Sequence, residues 1–249
     1  MTGRRVVTIV AAAVVAAAFA LPARAQQLVA DLSSHLVAIT TGFNGAEILL
    51  FGAVEGPGDV VVTVRGPAED QIVRRKVRVA GVWVNGPEVE FQNVPEYYAV
   101  FASRPLEQVI TPELADLHQI GAQHVALNTD SKRPAAEIAS FRDALLRTKE
   151  REGLYPRKVG RLSFLGRRLF RTNLVFPGNV PTGSYTVEVL LIRGGSVESA
   201  QTTPLYISQA GISADVYEFA HRQSALYGVI AIFVALATGW LAGAVMRRV

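Results

Sequence analysis

Cysteine is absent from the 249-residue chain. That excludes disulfides, thiolate catalysis, cysteine-ligated zinc, iron–sulfur clusters and anchoring through a lipidated N-terminal cysteine. A domain of this length outside the cytoplasm manages without disulfides, because its core is large enough. Histidine is scarce: His118 and His124 are six apart, which suits neither one helix face nor a zinc-protease motif, and His35 and His221 stand alone. No metal or other cofactor is expected. Net positive charge is largely an effect of the ends. The chain has 25 Lys+Arg against 21 Asp+Glu, but setting aside Arg4, Arg5, Arg24, Arg247 and Arg248 leaves 20 against 21. Without a basic body, a nucleic-acid partner is excluded. Nucleophile-elbow and phosphate-loop motifs are missing too, and a protein without catalytic activity is expected. A hydrolase whose site is assembled only in space is the remote alternative.

Charge is also missing from two long stretches. Arg4-Arg5 precedes an uncharged run, Val6 to Leu21, followed by Pro22-Ala-Arg-Ala25. A positive start, an apolar middle and an Ala-x-Ala box predict a secretory signal peptide over 1–25, cut after Ala25. An uncleaved anchor is the alternative. No charge occurs between Arg222 and Arg247. A helix over 223–246 would be about 36 Å long, against about 30 Å of bilayer hydrocarbon. The sequence therefore predicts a single-pass transmembrane helix with Arg247-Arg248 as its cytoplasmic stop. The tail is 247–249, the juxtamembrane segment 212–222 and the extracytoplasmic domain 26–211. In a bacterial cell this places the domain in the periplasm and the anchor in the inner membrane.

The body reads first as short strands punctuated by Gly and Pro: Val37–Thr40, Glu47–Phe51 ending at Gly52, Val60–Arg65, Ile72–Val79, Gly81–Gly86, Val89–Phe91 and Tyr97–Phe101. Thr111-Pro112-Glu113 predicts a helix start. A second helix is predicted over Ala135–Arg151, with Ile138, Phe141, Leu145 and Leu146 on one face and Gly153 as its stop. Strands resume at Gly160–Phe164, Leu169–Phe176, Ser184–Ile192, Ser196–Ala200 and Leu205–Ser208, with a hairpin turn at Gly194-Gly195. The expected fold is mainly β: one antiparallel β-sandwich with a helical insertion at about 105–155. Two separate sandwiches are the alternative. Gly178-Asn-Val-Pro-Thr-Gly-Ser-Tyr185 resembles the turn and strand start of many bacterial immunoglobulin-like domains.

Leu49-Leu-Phe-Gly52, Gly58-Asp-Val-Val-Val-Thr-Val-Arg-Gly-Pro67, Val73-Arg-Arg-Lys76 and Gly81-Val-Trp-Val-Asn85 resemble an alphaproteobacterial transmembrane protein family of no assigned activity. Tyr98-Ala-Val100, Arg104-Pro-Leu106 and the C-terminal span extend the likeness over almost the whole mature chain. The resemblance implies a bacterial membrane protein and supplies no catalytic residues.

Two features carry candidate chemistry. In Ile72–Val79, period 2 puts Arg74, Lys76 and Arg78 on one strand face and Val73, Arg75, Val77 and Val79 on the other. Three aligned cations suit an oxyanion, lipid head groups or an acidic partner; the plainer reading is an edge strand protected by charge. Glu88 and Glu90 read as solvated carboxylates, Arg157-Lys158 and Arg167-Arg168 as surface turns. In the apolar C-terminal run, Ala231, Ala235, Gly239 and Gly243 recur every four residues. Such a ridge packs against a second copy or a membrane-protein partner; apolar filler is the plainer reading. The expected function is a membrane-anchored binding protein docking a membrane or envelope partner, with an accessory subunit of an anion transporter as the alternative.

Overall fold

The computed structural model describes residues 27–210 and 220–246, with side chains in the last helix described to Trp240 and at Gly243. The expected leader, residues 212–219 of the juxtamembrane segment and the tail with Arg247-Arg248 lie outside the described residues.

The chain opens with β1 (Leu28–Leu32), β2 (Leu36–Ile39), β3 (Gly45–Val54) and β4 (Asp59–Arg65). Two long strands follow, β5 (Ala68–Val79) and β6 (Val82–Pro95), then β7 (Tyr98–Ala102). The helical insert holds α1 (Leu106–Val109), α2 (Pro112–His118), a 3-10 turn at Ala122–His124 and α3 (Ala135–Arg151). The chain then forms β8 (Gly160–Arg161), β9 (Ser163–Leu165), β10 (Leu169–Pro177), β11 (Gly183–Arg193), β12 (Ser196–Gln209) and α4 (Ser224–Met246).

Twelve strands make three sheets among the described residues: β1-β3-β10-β9, β2-β12-β11-β4-β7-β8, and the ribbon β5-β6. Most pairs are antiparallel; β2 runs parallel to β12 and β8 parallel to β7. One hydrophobic core joins the first two sheets: Leu28, Leu50, Phe170 and Leu174 from one meet Val62, Val187, Val189 and Leu205 from the other. Val109, Ile120, Val125, Leu146 and Leu154 of the insert and its exit join the same core. A central strand covered on both faces reads as a continuous apolar run, and β4 is buried from Val60 to Val64. At one end the core closes on an aromatic group: Tyr97, Phe176 and Tyr185 have ring centroids 5.2–5.9 Å apart. There the Tyr185 hydroxyl donates back to the Pro181 carbonyl at 2.6 Å.

The ribbon continues the β4–β7 pair beyond the end of the sheet. Pairing runs from Val61↔Ala102 to Arg65↔Tyr98. Gly66 N–H donates to Tyr97 O and Glu96 N–H to Pro67 O, and pairing resumes from Ala68↔Pro95 to Val79↔Val82. Ala80 (φ 51°) and Gly81 (φ 86°) close it, the two successive positive φ values of a tight hairpin turn. Its inner half packs on α3: Val89, Phe91 and Val94 enclose Phe141 and Leu145, with Val73 and Ile138 at the margin.

Several expectations need correction. Gly52 does not end a strand; β3 runs on to Val54, and the Phe170 ring occupies the place a Cβ at Gly52 would need. The segments read as Gly81–Gly86 and Val89–Phe91 are one strand, because a bulge opposite Arg75 absorbs Gly86-Pro87. Ser196–Ala200 and Leu205–Ser208 are likewise joined in β12. Its pairing with β2 begins only at Tyr206, so Pro204 meets an open edge where a missing N–H costs nothing. Conversely, Gly160–Phe164 divides into β8 and β9, which belong to different sheets. A further strand, β1, lies outside the expected set; its Leu28, Ala30 and Leu32 alternate into the core. The helices stand as expected: Thr111 caps α2, accepting from Leu114 N–H, and α3 spans Ala135–Arg151 with Phe141, Leu145 and Leu146 buried.

The helix α4 has 23 residues and coincides with the uncharged run. The side chains at 241, 242 and 244–246 lie outside the described residues; over what is described, no helix is long and apolar enough to cross a membrane.

Candidate functional site

The ribbon's outer half bears the cations singled out from the sequence. Arg74 stands opposite Glu88, Lys76 opposite Asn85 and Arg78 opposite Trp83. One face therefore presents all three cations together with Trp83, while Val77, Val79, Val82 and Val84 pair on the other. The three cations are not equivalent. Arg74 is ion-paired with Glu88 at 2.6 Å. Lys76 Nζ donates to the Asn85 amide oxygen at 2.6 Å and Arg78 Nε to the Gly81 carbonyl at 3.1 Å. Both of those partners are neutral, so Lys76 and Arg78 keep their field. Arg75, on the valine face, bonds Ser140 Oγ and lies 4.9 Å from the Phe141 ring centroid, in reach of a cation–π contact. Beyond it no helix among the described residues covers the ribbon: Val79, Val82 and Trp83 are 57%, 64% and 65% exposed.

A second candidate lies under the helical insert. A cleft of 520 Å³ is lined by α1, α2, the 3-10 turn and Arg157, and a neighbouring one of 350 Å³ reaches Tyr98 and Glu150. His124 Nδ1 is 2.6 Å from Asp116 Oδ1, and Arg157 pairs with Glu150 at 2.8 Å. The histidine–carboxylate pair has the look of an oriented base, yet the groups around it already serve the fold. The Thr111 hydroxyl caps α2. The Tyr98 hydroxyl accepts from Gly121 N–H at 2.7 Å and donates to Gln119 O at 2.6 Å. Burial pushes this phenol up to about 12, so it stays a neutral linker. Arg65 ties the insert to the sheet, donating to His118 O at 2.7 Å with Glu188 at 3.5 Å. No local pattern marks this linkage, which joins residues over 50 positions apart. The remaining isolated histidine of the body, His35, sits 3.0 Å from Asp31. Among the described residues no three His, Asp or Glu side chains gather to hold a metal ion.

The third candidate, the small-residue ridge, lies on α4. A methyl group added at Gly239 or Gly243 would meet nothing within 4 Å. The bulky Phe233, Leu236 and Trp240 are exposed on the same helix.

The molecule is thus a mainly β body followed by a long uncharged helix. The chain belongs to the family described as "Putative transmembrane protein (Alph_Pro_TM)", whose model matches residues 27–248. It is a member of a membrane-protein family to which no biochemical function is attached. No curated relative matches it. Among solved structures it is similar to the sporulation control protein Spo0M from Bacillus subtilis, with 11% identity and a TM-score of 0.31. That match covers 79% of this chain and 54% of Spo0M, so the chain spans about half that protein's length.

Proposed function

We propose that the protein is a non-enzymatic, membrane-anchored interaction protein, with α4 spanning the bacterial inner membrane once and the body held in the periplasm. The observation that carries this reading is the join between body and helix. The strand β12 ends at Gln209 and a 23-residue uncharged helix follows at Ser224, long enough at about 34 Å to cross about 30 Å of hydrocarbon. Family membership supports the membrane placement.

The body suits an interaction module. Its strand orders match the two sheets of a variable-type immunoglobulin sandwich, and Tyr185 bonding back to Pro181 is the tyrosine corner of that fold. The ribbon is then an elongated hairpin grown from the third strand. Docking of a membrane-protein partner or a second copy is assigned to the ridge Ala231, Ala235, Gly239 and Gly243, where small residues let backbones approach. The basic ribbon favours a second reading, an accessory subunit of an anion transporter; Arg74 lends it little, since Glu88 neutralises its charge.

Reporter fusions test the anchor: one after Val249 is active only in the cytoplasm, one near Arg104 only outside. Both reporting the same side refutes the topology. Replacing Gly239 and Gly243 with Leu abolishes crosslinking to the partner while insertion stays normal. Capture undiminished in that double variant reduces the helix to an anchor.

A further inference from the structure

We infer that the β5–β6 tip is a second membrane contact, seating Val79, Val82 and Trp83 in the interface of an anionic bilayer under Lys76 and Arg78. This rests on α4 being the anchor.

Strand register orients the ribbon. Arg65 of β4 pairs with Thr186, and Thr186 pairs with Pro204 of β12. Both β4 and β12 run antiparallel to β11, so they point the same way. The ribbon therefore leaves the sandwich from the end where β12 stops at Gln209 and the chain departs for α4. Pro67 confirms the closeness of these exits, lying 2.9 Å from where Gly183, the first residue of β11, would carry a Cβ. That end faces the membrane if α4 spans it. Residues 211–219 bridge at most about 32 Å, whereas the twelve residues of β5 extend about 40 Å. The ribbon is long enough to reach the surface in which the chain is tethered.

Its chemistry fits that surface. At the turn Val79, Val82 and Trp83 are more than half exposed. Tryptophan favours the head-group boundary, where its ring is partly apolar and its N–H stays wet. Just behind the tip stand Lys76 and Arg78 with neutral partners only. Residues 75–86 contain Arg75, Lys76 and Arg78 and no acid. Basic groups at this depth are drawn to anionic lipid, each worth about fivefold in binding. Two independent attractions converge on one bilayer.

The test uses the full chain, whose tryptophans are Trp83 and Trp240 only. Trp240→Phe isolates Trp83 and Trp83→Phe isolates Trp240. Each variant is reconstituted into phosphatidylcholine vesicles, with or without phosphatidylglycerol, containing brominated lipid as quencher. Trp83 is expected to shift to the blue and be quenched in anionic vesicles. Adding Lys76→Gln and Arg78→Gln should lower the docking equilibrium constant about 25-fold, with the far-UV spectrum unchanged because the tip is exposed. Trp83 unquenched in both lipids while Trp240 is quenched overturns the inference and spares the anchor. Trp240 unquenched overturns both. A blue shift without quenching, with crosslinks between Val82→Cys copies, overturns it in favour of self-association.

Discussion

The two halves of the β5–β6 ribbon have the same alternating pattern and opposite fates. Near its root, Val89, Phe91 and Val94 are buried against Phe141 and Leu145 of α3. Near its tip, Val79, Val82 and Val84 have the same alternation and the same register pairing, yet face outward. The difference is coverage: α3 reaches as far as Arg75, which it engages through Ser140 and Phe141, and no element among the described residues extends beyond. A two-stranded ribbon is marginal on its own in water. The root therefore stabilises the tip, and the tip is free to meet something else.

Substitutions should separate the halves, beginning at the root. Phe91→Ala removes a fully buried ring and is expected to cost about 3–5 kcal/mol, measured as a fall in the denaturant midpoint of the full chain in detergent. A cost as small as at the tip would mean the α3 contact contributes nothing. Tyr155→Phe is next. Its hydroxyl donates to the Pro95 carbonyl at 2.5 Å where the ribbon joins the sheet, and leaving that carbonyl unpaired costs about 1–3 kcal/mol.

A smaller, pH-dependent effect is expected at Glu96. Burial first, then the neighbouring Glu69, holds its carboxyl above the usual range of 4.5, with Lys149 opposing. An acid with a raised folded pKa binds protons more tightly when folded, so stability falls as pH rises from 4.5 through the raised value. Glu96→Gln should remove that fall, leaving the variant the more stable by up to about 1 kcal/mol at pH 7 and not at pH 4. Thermal midpoints at the two pH values decide it; equal differences at both would refute the carboxyl pair. Smallest of all, Trp83→Ala at the tip should change stability by no more than about 0.5 kcal/mol. A large loss there would show that the tip is covered in the folded chain.

Most of the strands and both longer helices were legible in the sequence because their signals are local. Thr111-Pro112 announces a capped helix, and the apolar spacing of Ile138, Phe141 and Leu145 marks the face that packs. The faces of Ile72–Val79 were legible for the same reason, since alternation fixes which side chains share a side. The readings that failed depended on a distant partner. Gly52 looked like a strand end until Phe170, 118 positions away, was seen to fill the space beside it. Ser196–Ala200 and Leu205–Ser208 read as two strands, whereas β12 runs through Pro204, which faces an open edge. The cleft with His124 and Asp116 was invisible for a related reason: packing, not spacing, brings Arg157 to it.

By itself, then, the sequence determined the composition of each face, the long uncharged helix and the neutral charge balance of the body, because these follow from residue type and periodicity. Tertiary structure alone decided which apolar face is covered and which is left open. It also decided that the basic ribbon leaves the β body from the end where β12 stops. Register between β4 and β11 sets that geometry, pairing Arg65 with Thr186, and no local pattern connects residues so far apart in the chain.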